Sequence, residues 1–435
     1  MDKYWHSVTL DRDSCKGCTN CLKHCPTKAI RIQNGKAKIL KERCIDCGEC
    51  IRVCPYHAKK AVTDGFVELS NYKYKIALVA PAFFSQFSIE ENINVILTAI
   101  KKLGFDDCYE VARGAEIVTE KTKEILKKEG NVKPLISSAC PAVVRLILLR
   151  FPNLIDNIMP LRSPMEVAAN LAKKEASEKI GFDEKDIGVF FISPCAAKAT
   201  AIKNPVNINS SAVDGVISVH DLYSKMSQVI KKISHEEIEN ISKSGKKGIM
   251  WALSGGEAGA SGSEKYVCVD GIHNVIDVLE EIEDDKLRDI EYVEALSCTG
   301  GCVGGPLNVE NPFVAKARLE RICKEIEENK NIKQHDIVYS DKTPVYKPVM
   351  NLDENISRAM AKAVKIEEIY ETLPKLDCGS CGSPGCKDLA EDIVRGYASE
   401  NDCIFNLKAK INELAKEMLE LDGRYEMTKK SEWGD

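Results

Sequence analysis

From Tyr72 onward, short apolar runs alternate with amphipathic stretches of helical period. Lys75–Pro81 (KIALVAP) reads as a buried strand, Ile89–Leu103 as a helix, and Gly104–Val111 as a turn leading into a strand. Ala115–Lys128 has the spacing of a second helix, and Pro134–Ser138 of a short apolar strand running into a loop. Asp186–Ser193 (DIGVFFIS) and Gly248–Leu253 (GIMWAL) repeat the strand pattern. Strands separated by single helices predict an α/β architecture with parallel sheets, whose chemistry sits in the loops that follow the strands. The flanks differ in texture. Residues 1–68 are dense in cysteine and poor in apolar residues, too thin a core to fold without bound clusters. Residues 331–372 read as a polar linker, centred on 326–350, followed by a helix over 353–372. A second cysteine-dense piece covers 373–405. The stretch 404–427 follows, with Ile404, Leu407, Ile411, Leu414, Met418 and Leu421 spaced 3,4,3,4,3. That is a heptad seam, read either as a pairing helix or as a helix packed on its own domain.

Length and composition narrow the choice. The chain has 435 residues, enough for several domains, with 44% hydrophobic and 29% charged residues and a net charge of −5. A mildly acidic balance argues against a general nucleic-acid binder. No run approaches the 18 apolar residues of a membrane span; the longest are Ile76–Phe84 and Val143–Phe151. The N-terminal stretch shows no signal-peptide pattern, so a cytoplasmic location without membrane association is expected. Nineteen cysteines in a reducing compartment are ligands rather than bridges.

Their spacing says which ligands. Cys15, Cys18, Cys21 and Cys25 precede Pro26; Cys44, Cys47, Cys50 and Cys54 precede Pro55. Both are the C-x2-C-x2-C-x3-C-P run of two-cluster ferredoxins, in which the fourth cysteine serves the other cluster. Cys15, Cys18, Cys21 and Cys54 are therefore expected to hold one [4Fe–4S] cluster, and Cys44, Cys47, Cys50 and Cys25 the second. Cys378, Cys381, Cys386 and Cys403, with glycines between the first three, form a third set. It reads as a C-terminal [4Fe–4S] site, though its spacing also admits zinc. Cys108, Cys268 and Cys323 sit in apolar settings and read as small buried hydrophobes. Cys140, Cys195, Cys298 and Cys302 lie in three loops expected after strands, SSAC140P, SPC195AAK and LSC298TGGC302VGGP. Spacing alone leaves open whether they share one metal site.

These three loops resemble the signature loops of the [FeFe]-hydrogenase large subunit, whose usual forms are TSCCP, MPCxxK and ExMxCxxGCxxGGG. KIALVAPAFF, LGFDDCYEVARGAEIVTEKTKEIL, LRSPMEVAANLAKK and WALSGGEAGA are similar to that family as well, so the likeness spans about residues 1–325. It implies a ferredoxin-like domain at 1–68 with two [4Fe–4S] clusters and a hydrogenase domain at 72–330. The latter would hold an H-cluster: a [4Fe–4S] cubane joined by a thiolate to a di-iron unit with CO, cyanide and azadithiolate. By motif, Cys140, Cys195, Cys298 and Cys302 would hold the cubane, and Cys302 would bridge to the di-iron unit. Lys198 would hydrogen-bond a cyanide, against the bland reading of a surface lysine. Pro194, Gly301 and Gly304 would shape the pocket, and Ser193 would add a cyanide contact.

The departures from the pattern matter. Ala139 stands where the family has a proton-passing cysteine, and alanine neither donates nor accepts a proton. SPC replaces MPC, Leu296-Ser297 replaces a methionine-containing segment, and GGP replaces GGG. These changes resemble the slow, regulatory, hydrogen-sensing branch of the family, which often carries the extra C-terminal cysteine domain. Glu257 in SGGEAGA is the candidate replacement acid, ahead of Glu116, Glu166 and Glu294. The expected partners are hydrogen and protons, a ferredoxin-like electron carrier and H-cluster maturation proteins. A signalling partner or a second copy would pair through the C-terminal helix. Seven basic residues (Lys23, Lys28, Arg31, Lys36, Lys38, Lys41, Arg43) against Glu42 read as a steering patch for an acidic carrier or as a solvated loop. Two other functions stay in view: a metabolic ferredoxin-dependent hydrogenase with another proton path, and a non-enzymatic iron–sulfur assembly protein.

Overall fold

The computed structural model describes residues 4–432 except 89, 131, 330, 331 and 334, and only the backbone of 336 and 422–432. The chain forms two compact units interleaved along the sequence. The larger takes residues 1–9, 41–52 and 59–349; the smaller takes 10–40, 53–58 and 350–435. The strands, in chain order, are β1 (Val8–Leu10), β2 (Ile30–Gln33), β3 (Lys36–Ile39), β4 (Lys59–Ala61), β5 (Tyr74–Val79) and β6 (Asp107–Glu110). They continue with β7 (Leu135–Ile136), β8 (Ile187–Ser193), β9 (Gly215–Ser218), β10 (Tyr266–Asp270) and β11 (Tyr292–Leu296).

In the larger unit β6-β5-β8-β9 form a four-stranded sheet and β10-β11-β7 a three-stranded one, all in parallel register. Alternate residues of β5 and β8 bury on opposite faces. Ile76, Leu78, Val189 and Phe191 join one core; Ala77, Val79, Phe190 and Ile192 join the other. Burial on both faces is why these strands read as continuous apolar runs rather than alternating ones. The helices Val111–Leu126 and Pro164–Ile180 lie in the first core, and Ile93–Lys101 in the second.

The expected elements are mostly present with shifted ends. The helix expected from Ile89 runs Ile93–Lys101, and Ile89 itself lies outside the described residues. One strand is corrected: Gly248–Leu253 is not extended, because Lys246–Met250 forms a short helix. The reason lies in Gly248, where a Cβ would meet the Ala112 carbonyl oxygen at 2.2 Å. The bare glycine lets this helix press on the backbone of Val111–Leu126, and that long-range contact overrides the local apolar pattern. The apolar run Val143–Phe151 falls in the helix Pro141–Arg150, which begins directly after Cys140.

In the smaller unit β2 and β3 form an antiparallel hairpin closed by Asn34-Gly35, both at positive φ as a two-residue turn requires. The C-terminal cysteine segment packs on this hairpin. The Ile32 N–H donates to the Gly382 carbonyl at 2.8 Å. Buried Arg31 grips buried Asp392 through Nε (2.5 Å) and Nη2 (3.0 Å), and Ser383 Oγ donates to the same carboxylate at 2.7 Å. Removing one partner of such a pair typically costs about 3–5 kcal/mol. The last helix, Ile404–Glu432, presents its seam to solvent: Ile404, Ile411, Leu414, Met418 and Leu421 are each at least half exposed. The reading of a helix packed on its own domain is therefore corrected. Among the described residues no helix is long and apolar enough to cross a membrane.

Candidate metal centre

Three loops leave the carboxyl ends of β7, β8 and β11, where an open parallel sheet places its chemistry. The first reaches Cys140, the second Cys195, the third Cys298 and Cys302. All four cysteines line one cavity of about 100 Å³. Burial raises the Cys195 thiol to about 12, and the neighbouring Cys298 and Cys140 push in the same direction. Burial likewise raises Cys302, with Cys195, Cys298 and Cys140 adding to it. Burial and the neighbouring sulfurs disfavour the thiolates of Cys195 and Cys302, so bringing these thiols together carries an energetic cost. A metal cluster that stabilises the thiolates offsets that cost, so the donor set fits an iron–sulfur cubane. None of the nineteen cysteines, all among the described residues, forms a disulfide.

The loops are held by their own backbone. Gly301 has φ +95°, and a Cβ there would meet the Ala252 carbonyl at 2.7 Å, so only glycine lets this turn press on the turn at Leu253, with which it makes an isolated β-bridge. Ser193 does not line the cavity. It is fully buried, accepts from the Cys195 N–H and donates to the Cys195 carbonyl, both at 3.0 Å. Its side chain closes the turn that presents Cys195. Pro194, Gly301, Ala139, Lys198 and Glu257 do line the cavity.

Lys198 stands one turn beyond Cys195 on the helix Ala196–Lys203, and its charge acts on Cys195, Cys302 and Glu257. Glu257 is not in a strand-following loop, as its sequence context implied; it is on the short helix Gly256–Ala260. It is buried, accepts from Ser137 Oγ at 2.8 Å and from the Tyr292 hydroxyl at 2.5 Å. Burial, then repulsion from Glu294, raise its carboxyl to about 8, against the opposing pull of Tyr292, Ser137 and Lys198. Glu294 is itself raised to about 7 by burial, although it accepts the N–H groups of Ala258 (2.7 Å) and Gly255 (3.0 Å). Beyond it lies Cys268, which packs against the first core as its apolar setting implied but is partly exposed, its sulfur 4.0 Å from the Glu294 carboxylate. The other two acids are loop anchors. Glu116 accepts from the Gly245 N–H at 2.8 Å, and Glu166 from Ser211 (2.6 Å) and Ala212 (2.9 Å).

Several site residues escape motif reading. Ser297 Oγ lies 3.6 Å from Cys140 Sγ and 3.7 Å from Cys298 Sγ. Met165 and Phe191 supply the apolar wall that the SPC loop lacks, and Met165 falls in the LRSPMEVAANLAKK segment. Arg52, on the helix Glu49–Arg52 that carries Cys50, donates to the Gly304 carbonyl at 2.5 Å, and its charge interacts with the Cys298 sulfur. Burial lowers its affinity for a proton, but Cys298 and Glu49 outweigh that and raise it overall.

The flanking cysteine sets divide between the units. Cys15, Cys18, Cys21 and Cys54 all belong to the smaller unit, as do Cys25 and Cys378, Cys381, Cys386 and Cys403. Cys44, Cys47 and Cys50 belong to the larger. Backbone N–H groups already point at three of these sulfurs: Ala37 to Cys15 (3.4 Å), Ala29 to Cys25 (3.2 Å) and Ala58 to Cys54 (3.3 Å). The third set is tied together electrostatically: burial raises Cys381, and Cys378 and Cys403 add to it. The supposed steering patch is largely committed to structure. Arg31 pairs with Asp392, Lys28 with Asp388 (3.0 Å), Lys36 holds the Cys15 carbonyl (2.7 Å), and Arg43 is buried.

Comparison with known proteins agrees with this geometry. Residues 73–306 match the family model of the iron-only hydrogenase large subunit, C-terminal domain. Residues 7–55 match a 4Fe-4S dicluster domain, and residues 373–405 an Fe-S cluster domain. Iron hydrogenase 1 of Clostridium pasteurianum is 25% identical over 414 residues, covering 77% of this chain and 72% of that protein. The periplasmic [Fe] hydrogenase large subunit of Nitratidesulfovibrio vulgaris is 29% identical over 214 residues, 44% of this chain and 50% of that one. The cytosolic Fe-S cluster assembly factor NAR1 of Candida dubliniensis is 24% identical over 158 residues, 34% of this chain and 27% of that one. A solved variant of the [FeFe]-hydrogenase HydA1 from Chlamydomonas reinhardtii shares the fold at TM-score 0.50 and 14% identity, over 65% of this chain and 98% of that one.

Proposed function

The chain belongs to the iron-only hydrogenase large-subunit family, and we propose that it is a slow hydrogenase with a hydrogen-sensing role, reversibly joining protons and electrons into hydrogen. One observation carries the reading: a single cavity brings four cysteine thiols together with Lys198 and a buried, protonatable Glu257. Cys140, Cys195, Cys298 and Cys302 would hold a [4Fe–4S] cubane, with Cys302 shared with a di-iron unit bearing CO, cyanide and azadithiolate. When bound, that cofactor supplies the iron chemistry on hydrogen.

The residues of the chain do the rest. The Lys198 ammonium offers a charge-assisted hydrogen bond to an anionic ligand in a shielded pocket. Glu257 holds a proton near neutral pH because its carboxyl is raised to about 8. Ser137 and Tyr292 fix both of its oxygens. Glu294 and then Cys268 continue from Glu257 toward solvent, a route that bypasses Ala139. Met165 and Phe191 exclude water. Cys44, Cys47, Cys50 and Cys25 would hold one further [4Fe–4S] cluster and Cys15, Cys18, Cys21 and Cys54 another, and these would supply electron transfer for the reaction. In the smaller unit the C-terminal set, with Cys378 exposed and acted on by Lys23, is the port for an external carrier. The committed basic residues leave that port, rather than a basic patch, as the contact. The C-terminal helix serves the sensing role by pairing with a second copy through its exposed seam. An antiparallel pair matches Ile404 with Leu421, Leu407 with Met418 and Ile411 with Leu414, and sets Lys410 against Glu417.

The test is an infrared spectrum of anaerobically matured protein in the CO and cyanide region, with and without hydrogen. Bands that shift under hydrogen are expected. Their absence after competent maturation would leave an electron-transfer protein, or an Fe-S cluster assembly factor like NAR1.

A further inference from the structure

Away from the cysteine loops, the larger unit holds a second cavity of about 310 Å³, roomy enough for a small organic molecule. Its polar wall is unusual in what it leaves unmade. Asp46 is fully buried and accepts from Arg145 Nη1 at 2.6 Å and from His6 Nδ1 at 2.8 Å. In a neutral imidazole whose Nδ1 donates to that carboxylate, the opposite nitrogen holds a lone pair. His6 is only 7% exposed, and among the described residues its Nε2 has no hydrogen-bond partner. The Tyr4 hydroxyl of the same wall is also buried with no partner among them. Two orphaned polar atoms on residues that line one cavity cost free energy that a ligand or water reaching them returns.

The charges around the cavity point to the sign of that ligand. Arg145 and Lys347 both stack on the Tyr4 ring, at 4.7 and 4.4 Å from its centre. Arg145 is already engaged by Asp46 and by the Cys44 carbonyl (2.7 Å). Among the described residues no acid engages Lys347; burial, then the neighbouring Arg145, disfavour its charge. Lys41 also lines the cavity, opposed by Glu42. Two cations crowded onto one ring are relieved by an anion between them. The remaining wall, Leu148, Leu149 and Val349, is apolar.

We infer that this cavity binds a small organic oxyanion that carries a hydroxyl, such as a hydroxycarboxylate or a phosphate monoester. The anionic group meets Lys347 and Lys41. The hydroxyl donates to His6 Nε2, and an oxygen of the ligand accepts from the Tyr4 hydroxyl. A simple halide satisfies the charges but not the imidazole.

The test is calorimetric titration of the anaerobic holoprotein with lactate, glycerol 1-phosphate and inorganic phosphate, with propionate and chloride as controls. Saturable binding of lactate or of the phosphates is expected, and which of them binds identifies the source of the oxyanion. Propionate should bind several-fold more weakly than lactate, since it offers no donor to His6. Lys347→Met should weaken binding about tenfold, as loss of one charge-assisted hydrogen bond does. Tyr4→Phe, which removes one oxygen, should weaken it several-fold. No saturable binding by any of the three, binding of propionate as tight as lactate, or affinity unchanged in both variants would overturn the inference.

Discussion

The two walls of the cysteine-lined cavity were built in opposite ways. The thiol wall is local: each cysteine sits within a short loop after a strand, with its proline or glycine beside it. The acid wall is assembled over distance. Ser137 meets Glu257 from 120 positions away, Tyr292 from 35, and Glu294 joins them through the backbone of Gly255 and Ala258. The difference teaches where a site can change. A ligand set is fixed by the metal, while a proton route needs only some chain of titratable groups. Ala139 offers no titratable group in the first loop, and its N–H donates at 3.2 Å to the same Ser137 hydroxyl that contacts Glu257.

The largest effect should come from breaking the thiol wall. Cys302→Ser should abolish the CO and cyanide bands and all turnover, read by infrared spectroscopy and iron content. Glu257→Gln should leave the bands in place and lower turnover by about a hundredfold, the scale of a lost general acid–base group. The same substitution has a signature in stability. The folded carboxyl is raised to about 8 from a usual 4.5, so the folded state holds this proton more tightly than the unfolded chain. Wild-type protein should therefore lose stability as pH rises from about 4.5 through about 8. Thermal unfolding of the glutamine variant should show a shallower fall over that window. A flat difference would mean that Glu257 is ionised throughout.

Ala139→Cys sharpens the comparison from the other side. A thiol restored to the first loop should raise turnover about tenfold if the acid wall is the slower route. An unchanged rate would place the limit elsewhere. The smallest effect concerns Arg52, which joins the helix of Cys50 to Cys298 and Gly304. Arg52→Met removes a positive charge beside a thiolate, which favours the oxidised cluster. The midpoint potential of the cubane, followed by electron paramagnetic resonance, should fall by about 50 mV, roughly 1 kcal/mol for one electron.

Much of this was legible in the sequence, and for a physical reason. Metal-ligand spacing is a local property, so the three loops could be picked out as a group and set beside one family. Strands buried on both faces, such as β5 and β8, announce themselves as apolar runs. What stayed hidden depends on packing. Gly248–Leu253 reads as a strand because nothing in GIMWAL records that Gly248 rests on Ala112. Ser193 reads as a cofactor contact, and nothing in its motif records that its hydroxyl closes its own turn. Arg31 and Lys28 read as a surface patch because Asp392 and Asp388 lie more than 350 positions away. Glu257 was picked out beside a glycine pair, but its partners Ser137, Tyr292 and Glu294 come from other elements.

The proton role of Glu257 is best tested by isotope exchange. Matured wild-type protein and Glu257→Gln, each with its infrared bands verified, would be held under D2 in ordinary water while the gas is followed by mass spectrometry. Wild type should release HD and H2, and the variant should exchange about a hundredfold more slowly. Equal exchange in the two proteins would contradict a proton route through Glu257.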